Sequence, residues 1–175
     1  MQENKTYNWI SKKRTTRKQF FSGKSGKIIT LLGNSFRTAV KTLKKFEITS
    51  YEINPIIYMR QKESKFKRIN FKFGDILSAP VEEGVFYDLD FCCTIFSVEE
   101  HVRKFKDTDF LLTICLRGKT LESSLAFFSK IMGSDTYKIR RYRTQRNLYI
   151  LSAGEKTYRV ITYRDGAPMC CIAKL

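Results

Sequence analysis

The chain has 175 residues, 42% hydrophobic and 14% aromatic, and carries 33 Lys and Arg against 17 Asp and Glu, a formal charge of +16. That length suits one compact domain burying roughly 70% of the surface its unfolded form exposes, and the charge draws polyanions, which makes nucleic acid the leading partner class. A membrane surface is the weaker reading, because no apolar run approaches the ~20 residues of a span and no amphipathic helix carries a separate basic face; a disulfide or zinc framework lacks its spacing, since Cys92-Cys93, Cys115 and Cys170-Cys171 show no C-x-x-C in a chain with one His.

Residues 1–26 read as a basic N-terminal arm or helix with Lys12, Lys13, Arg14, Arg17 and Lys18 as candidate nucleic-acid contacts; a solvated terminus is the bland alternative. The segment lacks the apolar core of a secretion signal, so a cytoplasmic, intracellular protein is expected. Gly23-Lys24-Ser25 imitates the end of a phosphate-binding loop, but Lys18 stands where the first glycine belongs and the run precedes the first strand. Residues 27–175 form a single expected domain.

In that domain KIITLLG (27–33) is an apolar run of strand length. Phe36, Ala39, Val40 and Leu43 then follow at the i, i+3, i+4, i+7 spacing of a helix, with Asn34 or Ser35 placed to cap it. EITSYEI is a second strand, and Asn54-Pro55 opens another helix. RINFKFGD alternates Ile69, Phe71 and Phe73 as a third strand, and VFYDLDFCC is the fourth. Ser97-Val98-Glu99-Glu100 reads as a capping box before a helix with Val98, Val102 and Phe105 on its apolar face, leaving His101 at the surface. FLLTICLRG is a fifth strand, and TLESSLAFFSKIMG a helix ending on Gly133.

After Gly133 the helical spacing stops. TYKIRRYRTQ, NLYILSAG, TYRVITYRDG and PMCCIAKL are strands, with Gly154 and Asp165-Gly166 as hairpin turns. Strands alternating with helices force parallel neighbours and right-handed crossovers. The expected fold is α/β: a doubly wound, mostly parallel Rossmann-like sheet with helices on both faces and a C-terminal antiparallel hairpin extension.

Such sheets bind ligands beyond the carboxyl ends of their strands. Those ends are Gly33-Asn34, Glu52, Gly74-Asp75 and Asp88-Leu89-Asp90. Gly33 lets the backbone bend sharply, and the helix after it presents unpaired N–H groups. Glu52, 19 residues later, suits a carboxylate accepting both hydroxyls of a ribose, and Asp75 suits the exocyclic amine of a purine. A dinucleotide is disfavoured, because Ser35 and Thr38 occupy the second and third glycine positions of the pyrophosphate fingerprint. S-adenosylmethionine, with one adenosine, no phosphate and a short zwitterionic tail, is less demanding.

On these residues the chain resembles class I S-adenosylmethionine-dependent methyltransferases over roughly residues 27–175. ITLLGNS stands where the glycine-rich first motif belongs, SYEINP matches the second motif, FGDIL the third, and YDLDFCC the fourth, catalytic one. The E-x-N-P and D-x-D-F strings are similar to those of RNA guanine-N2 methyltransferases. Two departures stand out: the first motif has no acidic residue and one glycine, and the fourth lacks the proline pair with which adenine-N6 and cytosine-N4 enzymes hold a flipped base. The resemblance implies S-adenosylmethionine as cofactor, bound by Gly33, Asn34, Glu52, Ile53, Asp75 and Ile76, with catalysis around Asp88, Asp90, Phe91 and Cys93.

The fourth motif supports two readings. Either Asp90 or its carbonyl holds a target amine while Phe91 stacks on a base, or Cys93 attacks a pyrimidine as a thiolate, since D-F-C-C-T is similar to the D-A-P-C-S string of RNA cytosine-C5 enzymes. Plain packing of the cysteines and strand-end capping by the aspartates are the structural alternatives.

TYKIRRYRTQR interleaves Arg140, Arg141, Arg143 and Arg146 with Tyr137 and Tyr142. Guanidinium forks grip phosphates and tyrosine faces stack on unpaired bases; a charged edge strand that resists aggregation is the alternative. The functional expectation is a methyltransferase acting on RNA or DNA bases. The alternative is a catalytically inactive protein of that fold that binds nucleic acid. Richness in Lys, Ile, Phe and Tyr suggests an A·T-rich source such as a virus or plasmid.

Overall fold

The computed structural model describes residues 15–33, 36 and 41–175, with Asp165 as backbone alone. Among the described residues nine strands form one sheet: β1 (Gly26–Thr30), β2 (Phe46–Glu52), β3 (Ile69–Phe73), β4 (Val85–Asp90), β5 (Asp109–Cys115), β6 (Tyr137–Arg141), β7 (Leu148–Ala153), β8 (Lys156–Asp165) and β9 (Ala167–Lys174). The described helical residues include α1 (15–21), α2 (Pro55–Lys62), α3 (Glu99–Phe105) and α4 (Leu121–Ile131).

Side-chain alternation decides the layering. Successive strand residues point to opposite faces, and Ile28 and Ile29 in β1 join two different buried clusters, as do Leu111 and Leu112 in β5 and Cys171 and Ile172 in β9. A strand apolar at consecutive positions needs cover on both sides. On one face α3 and α4 supply it: Phe105 stacks on Tyr87 with ring centroids 4.7 Å apart, and Phe128 meets Tyr158 edge-on at 5.0 Å. On the other, Phe20 and Phe21 of α1 join Leu43, Phe46 and Ile48 in one cluster. Each buried phenylalanine contributes roughly 1.5–3 kcal/mol, which anchors α1 to this face of the sheet. Phe36 and Leu43 of the next expected helix lie in this cluster; Ala39 and Val40 fall outside the described residues.

Strand order is β3-β2-β1-β4-β5-β9-β8-β7-β6. The five strands joined by helical segments pair in parallel, and the last four are antiparallel, with β9 inserted between β5 and β8. The sheet is therefore mixed rather than mostly parallel, and its extension is a four-stranded meander rather than one hairpin. Without a helix to carry the chain back across the sheet, short turns leave each strand beside its predecessor in the opposite direction.

Local capping divides between expectation and correction. Asn54 Oδ1 accepts from the N–H groups of Ile56 and Ile57 at 3.0 and 3.3 Å, and Pro55 opens α2. The capping box at Ser97 does not form: a 3₁₀ turn over Ile95–Ser97 precedes α3, Val98 takes the cap position, and Ser97 Oγ lies 3.4 Å from Thr94 Oγ1. Among the described residues no helix is long and apolar enough to cross a membrane.

Candidate cofactor and substrate site

Because β1 to β4 run parallel, their carboxyl ends open on one edge of the sheet. They surround a cavity of about 720 Å³, within the roughly 300–1,000 Å³ of ligand pockets. Gly33, Glu52, Ile53, Asp75 and Ile76 line it, and Asp90, Phe91 and Cys93 complete the wall from β4. Asn34 lies outside the described residues.

At Gly33 φ is +52°, a value that favours glycine, and a Cβ there would meet nothing within 4 Å. The Gly33 carbonyl accepts a 3.0 Å bond from Nε2 of Gln61, a fully buried α2 side chain that fixes the bend. Glu52 Oε1 accepts the Asn54 N–H at 2.8 Å, which orients the carboxylate while its second oxygen has no partner among the described residues. Gly74 N–H donates to the Glu52 carbonyl at 3.0 Å, so Asp75 emerges beside Glu52.

Asp75 caps the 3₁₀ turn over Ile76–Ser78, its Oδ1 accepting the Leu77 N–H at 2.9 Å. The same oxygen lies 3.1 Å from His101 Nε2, and the His101 ring meets Phe91 edge-on at 5.0 Å. His101 is thus part of the cavity wall and not a surface residue: its side chain is 18% exposed, against 42% for Asp75. Its spacing carries the signal, since it falls three residues after Val98 and four before Phe105, on the apolar stripe of α3.

The aspartates of the fourth motif meet a different partner. Arg17 Nη2 lies 2.8 Å from Asp90 Oδ2 and 3.0 Å from Asp88 Oδ2, and Thr30 Oγ1 donates to Asp88 at 3.2 Å. Arg17, Asp88 and Asp90 side chains are all buried. Burial alone would push the Arg17 pKa down; Asp88 and Asp90 more than offset that, holding it above the ordinary arginine value and fully charged. Arg17 therefore cannot serve as a phosphate contact, and Asp88 lies within the sheet rather than in the cavity. Asp90 reaches the cavity wall with its carboxylate taken by Arg17. Phe20 and Phe21 follow Arg17 at i+3 and i+4, which places all three on one helix face.

Cys93 is half-buried, and burial followed by the neighbouring Cys92 pushes its thiol above the ordinary value, opposite to what a thiolate nucleophile requires. Among the described residues no three His, Cys, Asp or Glu side chains are grouped to hold a metal ion. Lys18, Arg140, Arg141, Arg143 and Arg146 are exposed, and Arg141 Nε donates to the Arg146 carbonyl at 3.1 Å. Lys12, Lys13 and Arg14 lie outside the described residues.

No protein-family model matches the sequence, and no curated protein matches it significantly. Solved structures do resemble it. The N-methyltransferase NodS from Bradyrhizobium japonicum WM9 superposes with a TM-score of 0.60 at 9% identity, covering 95% of this chain and 96% of that one. Trm5b from Pyrococcus abyssi gives 0.59 at 14% identity, over 94% of this chain and 48% of its own, and the mitomycin 7-O-methyltransferase MmcR gives 0.52 at 14%, over 94% and 55%. The chain thus spans about half the length of the latter two. At such identities the likeness establishes the fold alone: this chain has the class I S-adenosylmethionine-dependent methyltransferase fold.

Proposed function

We propose that the protein is an S-adenosylmethionine-dependent methyltransferase acting on a nucleic-acid base. The observation that carries this reading is the convergence of Gly33, Glu52 and Asp75 on one cavity, with the backbone bond from Gly74 to Glu52 joining the ends of the strands that carry the two carboxylates. The cofactor's needs fit what these residues offer. The unpartnered oxygen of Glu52 accepts ribose hydroxyls, the half-exposed Asp75 accepts an exocyclic amine, and the open space at Gly33 admits the amino-acid tail. When bound, S-adenosylmethionine supplies an electrophilic methyl group whose sulfonium sulfur leaves as a neutral thioether. The chain's part is to align a base nitrogen with that methyl and to stack the base, for which Phe91 is placed at the cavity wall. Nucleic acid as substrate is supported by the +16 charge and the exposed arginines between 140 and 146.

A second reading, a non-catalytic nucleic-acid-binding protein of the same fold, is favoured by one observation: Arg17 occupies the carboxylate of Asp90. Thermal melting separates the two. At 100 times its Kd a ligand adds roughly 2.7 kcal/mol, a shift of several degrees at this size. We expect such a shift with S-adenosylmethionine or its demethylated product, and its loss in Glu52→Ala. No shift at saturating ligand favours the second reading. Transfer of labelled methyl to RNA or DNA then names the substrate.

A further inference from the structure

The meander's two faces differ. On one, Leu151, Tyr158 and Val160 are fully buried; on the other, Ile150, Arg159 and Ile161 are only half-buried. Between that barer face and α1 runs a groove of about 830 Å³, larger than the cofactor cavity. Its lining contains Arg146 and Arg164, the carboxamides Gln19, Gln145 and Asn147, and the ring of Tyr163, over an apolar base that includes Leu116 and Ile161.

That chemistry is selective. Among the described residues none lining the groove is acidic, and neither Arg146 nor Arg164 has an ion-pair partner there. Each carboxamide presents a donor and an acceptor, the complement of a base edge. The same face continues as a basic stripe, because Arg140 and Arg159 stand on either side of Ile150 in the cross-strand register. Cations for phosphates, amides for base edges and an aromatic face together suit nucleotides whose bases are unstacked, whereas a duplex keeps its base faces covered.

The groove also borders the cofactor cavity. Cys115 N–H donates to the Cys93 carbonyl at 3.0 Å; Cys93 lines the cavity, and Leu116, next after Cys115, lines the groove. Likewise Thr16 lines the groove, while its neighbour Arg17 binds Asp90 in the cavity wall. The walls of the two hollows are thus joined by a backbone hydrogen bond at Cys93 and Cys115 and by the Thr16–Arg17 step of α1.

We propose that this groove seats an unpaired stretch of nucleic acid, its phosphates on Arg146 and Arg164 and one base passing over the Cys93–Cys115 partition into the cavity. The inference rests on the methyltransferase reading for the fate of that base, and not for the binding itself. The test is fluorescence anisotropy of dye-labelled single-stranded RNA, single-stranded DNA and a duplex, without cofactor, on wild type, Arg146→Gln/Arg164→Gln, and Lys44→Gln/Lys67→Gln at the opposite edge of the sheet. All three proteins must melt alike; if the groove double variant melts early, each arginine is changed singly.

We expect single strands, of either sugar, to bind tighter than the duplex. The groove variant should bind about tenfold more weakly, with the salt slope reduced by roughly 0.7 for each phosphate left without its arginine, while the lysine variant stays within about twofold of wild type. Equal weakening in both variants, unchanged binding in the groove variant, or preference for the duplex overturns the proposal. Because the melting shift with S-adenosylmethionine is measured separately, failure of the groove and failure of the enzymatic reading remain distinguishable.

Discussion

Arg17 holds Asp90 at 2.8 Å and Asp88 at 3.0 Å, tying a side chain from α1 to the carboxyl end of β4. Removing the guanidinium leaves two carboxylates buried together without a countercharge, and breaking a buried pair this way costs roughly 3–5 kcal/mol. Arg17→Met should therefore lower the urea midpoint sharply. Arg17→Met combined with Asp88→Asn and Asp90→Asn should recover most of the loss, because no bare charge remains. A single variant as stable as wild type would show that the guanidinium is not seated there.

The bond from His101 to Asp75 should matter for ligand affinity more than for folding. Asp75 Oδ1 accepts from both Leu77 and His101, which turns the rest of the carboxylate toward the cavity. His101→Phe keeps a ring beside Phe91 and deletes that bond, worth about 1 kcal/mol or roughly fivefold in affinity. Calorimetric titration of S-adenosylhomocysteine against its inosine analogue gives the check: the variant should lose affinity for the amine-bearing ligand alone.

Cys93 should behave as a poor nucleophile. Its thiol is pushed above the ordinary value by burial and by Cys92, so the protonated form persists to higher pH and the alkylation rate should still be rising where an unperturbed cysteine has levelled off. Mass spectrometry after brief iodoacetamide treatment should find exposed Cys92 modified before Cys93. If methyl transfer occurs, Cys93→Ser should keep it; complete loss would restore the pyrimidine-attack route.

Tyr158 offers a stabilising substitution. Its hydroxyl is buried with no hydrogen-bond partner among the described residues, and burial, followed by the Asp107 charge, pushes its pKa up to about 12. A buried polar group left unpaired carries a penalty of about 1–3 kcal/mol. Tyr158→Phe keeps the edge-on contact with Phe128 and should raise stability by about 1 kcal/mol in denaturant titration. A decrease would reveal a partner for the hydroxyl.

What could be read in the sequence follows from which physical signals are local. Glu52 and Asp75 were legible because each closes an apolar run, and parallel strands bring their carboxyl ends to one edge whatever the rest of the chain does. Arg17 was not, because in a run of cations residue type does not say which side chain turns inward; only its spacing from Phe20 and Phe21 does. His101 is likewise told from a surface residue only by spacing, three after Val98 and four before Phe105. Ser97 had the composition of a helix cap, but the 3₁₀ turn before it moved the helix start by one residue. The segments of the meander were visible as alternating runs, whereas the insertion of β9 beside β5 depends on contacts far apart in the chain.

That insertion has a temporal side. The outer edge of β5 ends at Cys115, and its neighbour β9 begins only at Ala167. At ribosomal speeds of about 5–20 residues per second the interval is on the order of 3–10 s. Through it the nascent chain carries a bare, strongly apolar strand border, the kind that invites pairing with another polypeptide. In the folded chain that border is shielded by β9, paired along it from Leu111 to Cys115.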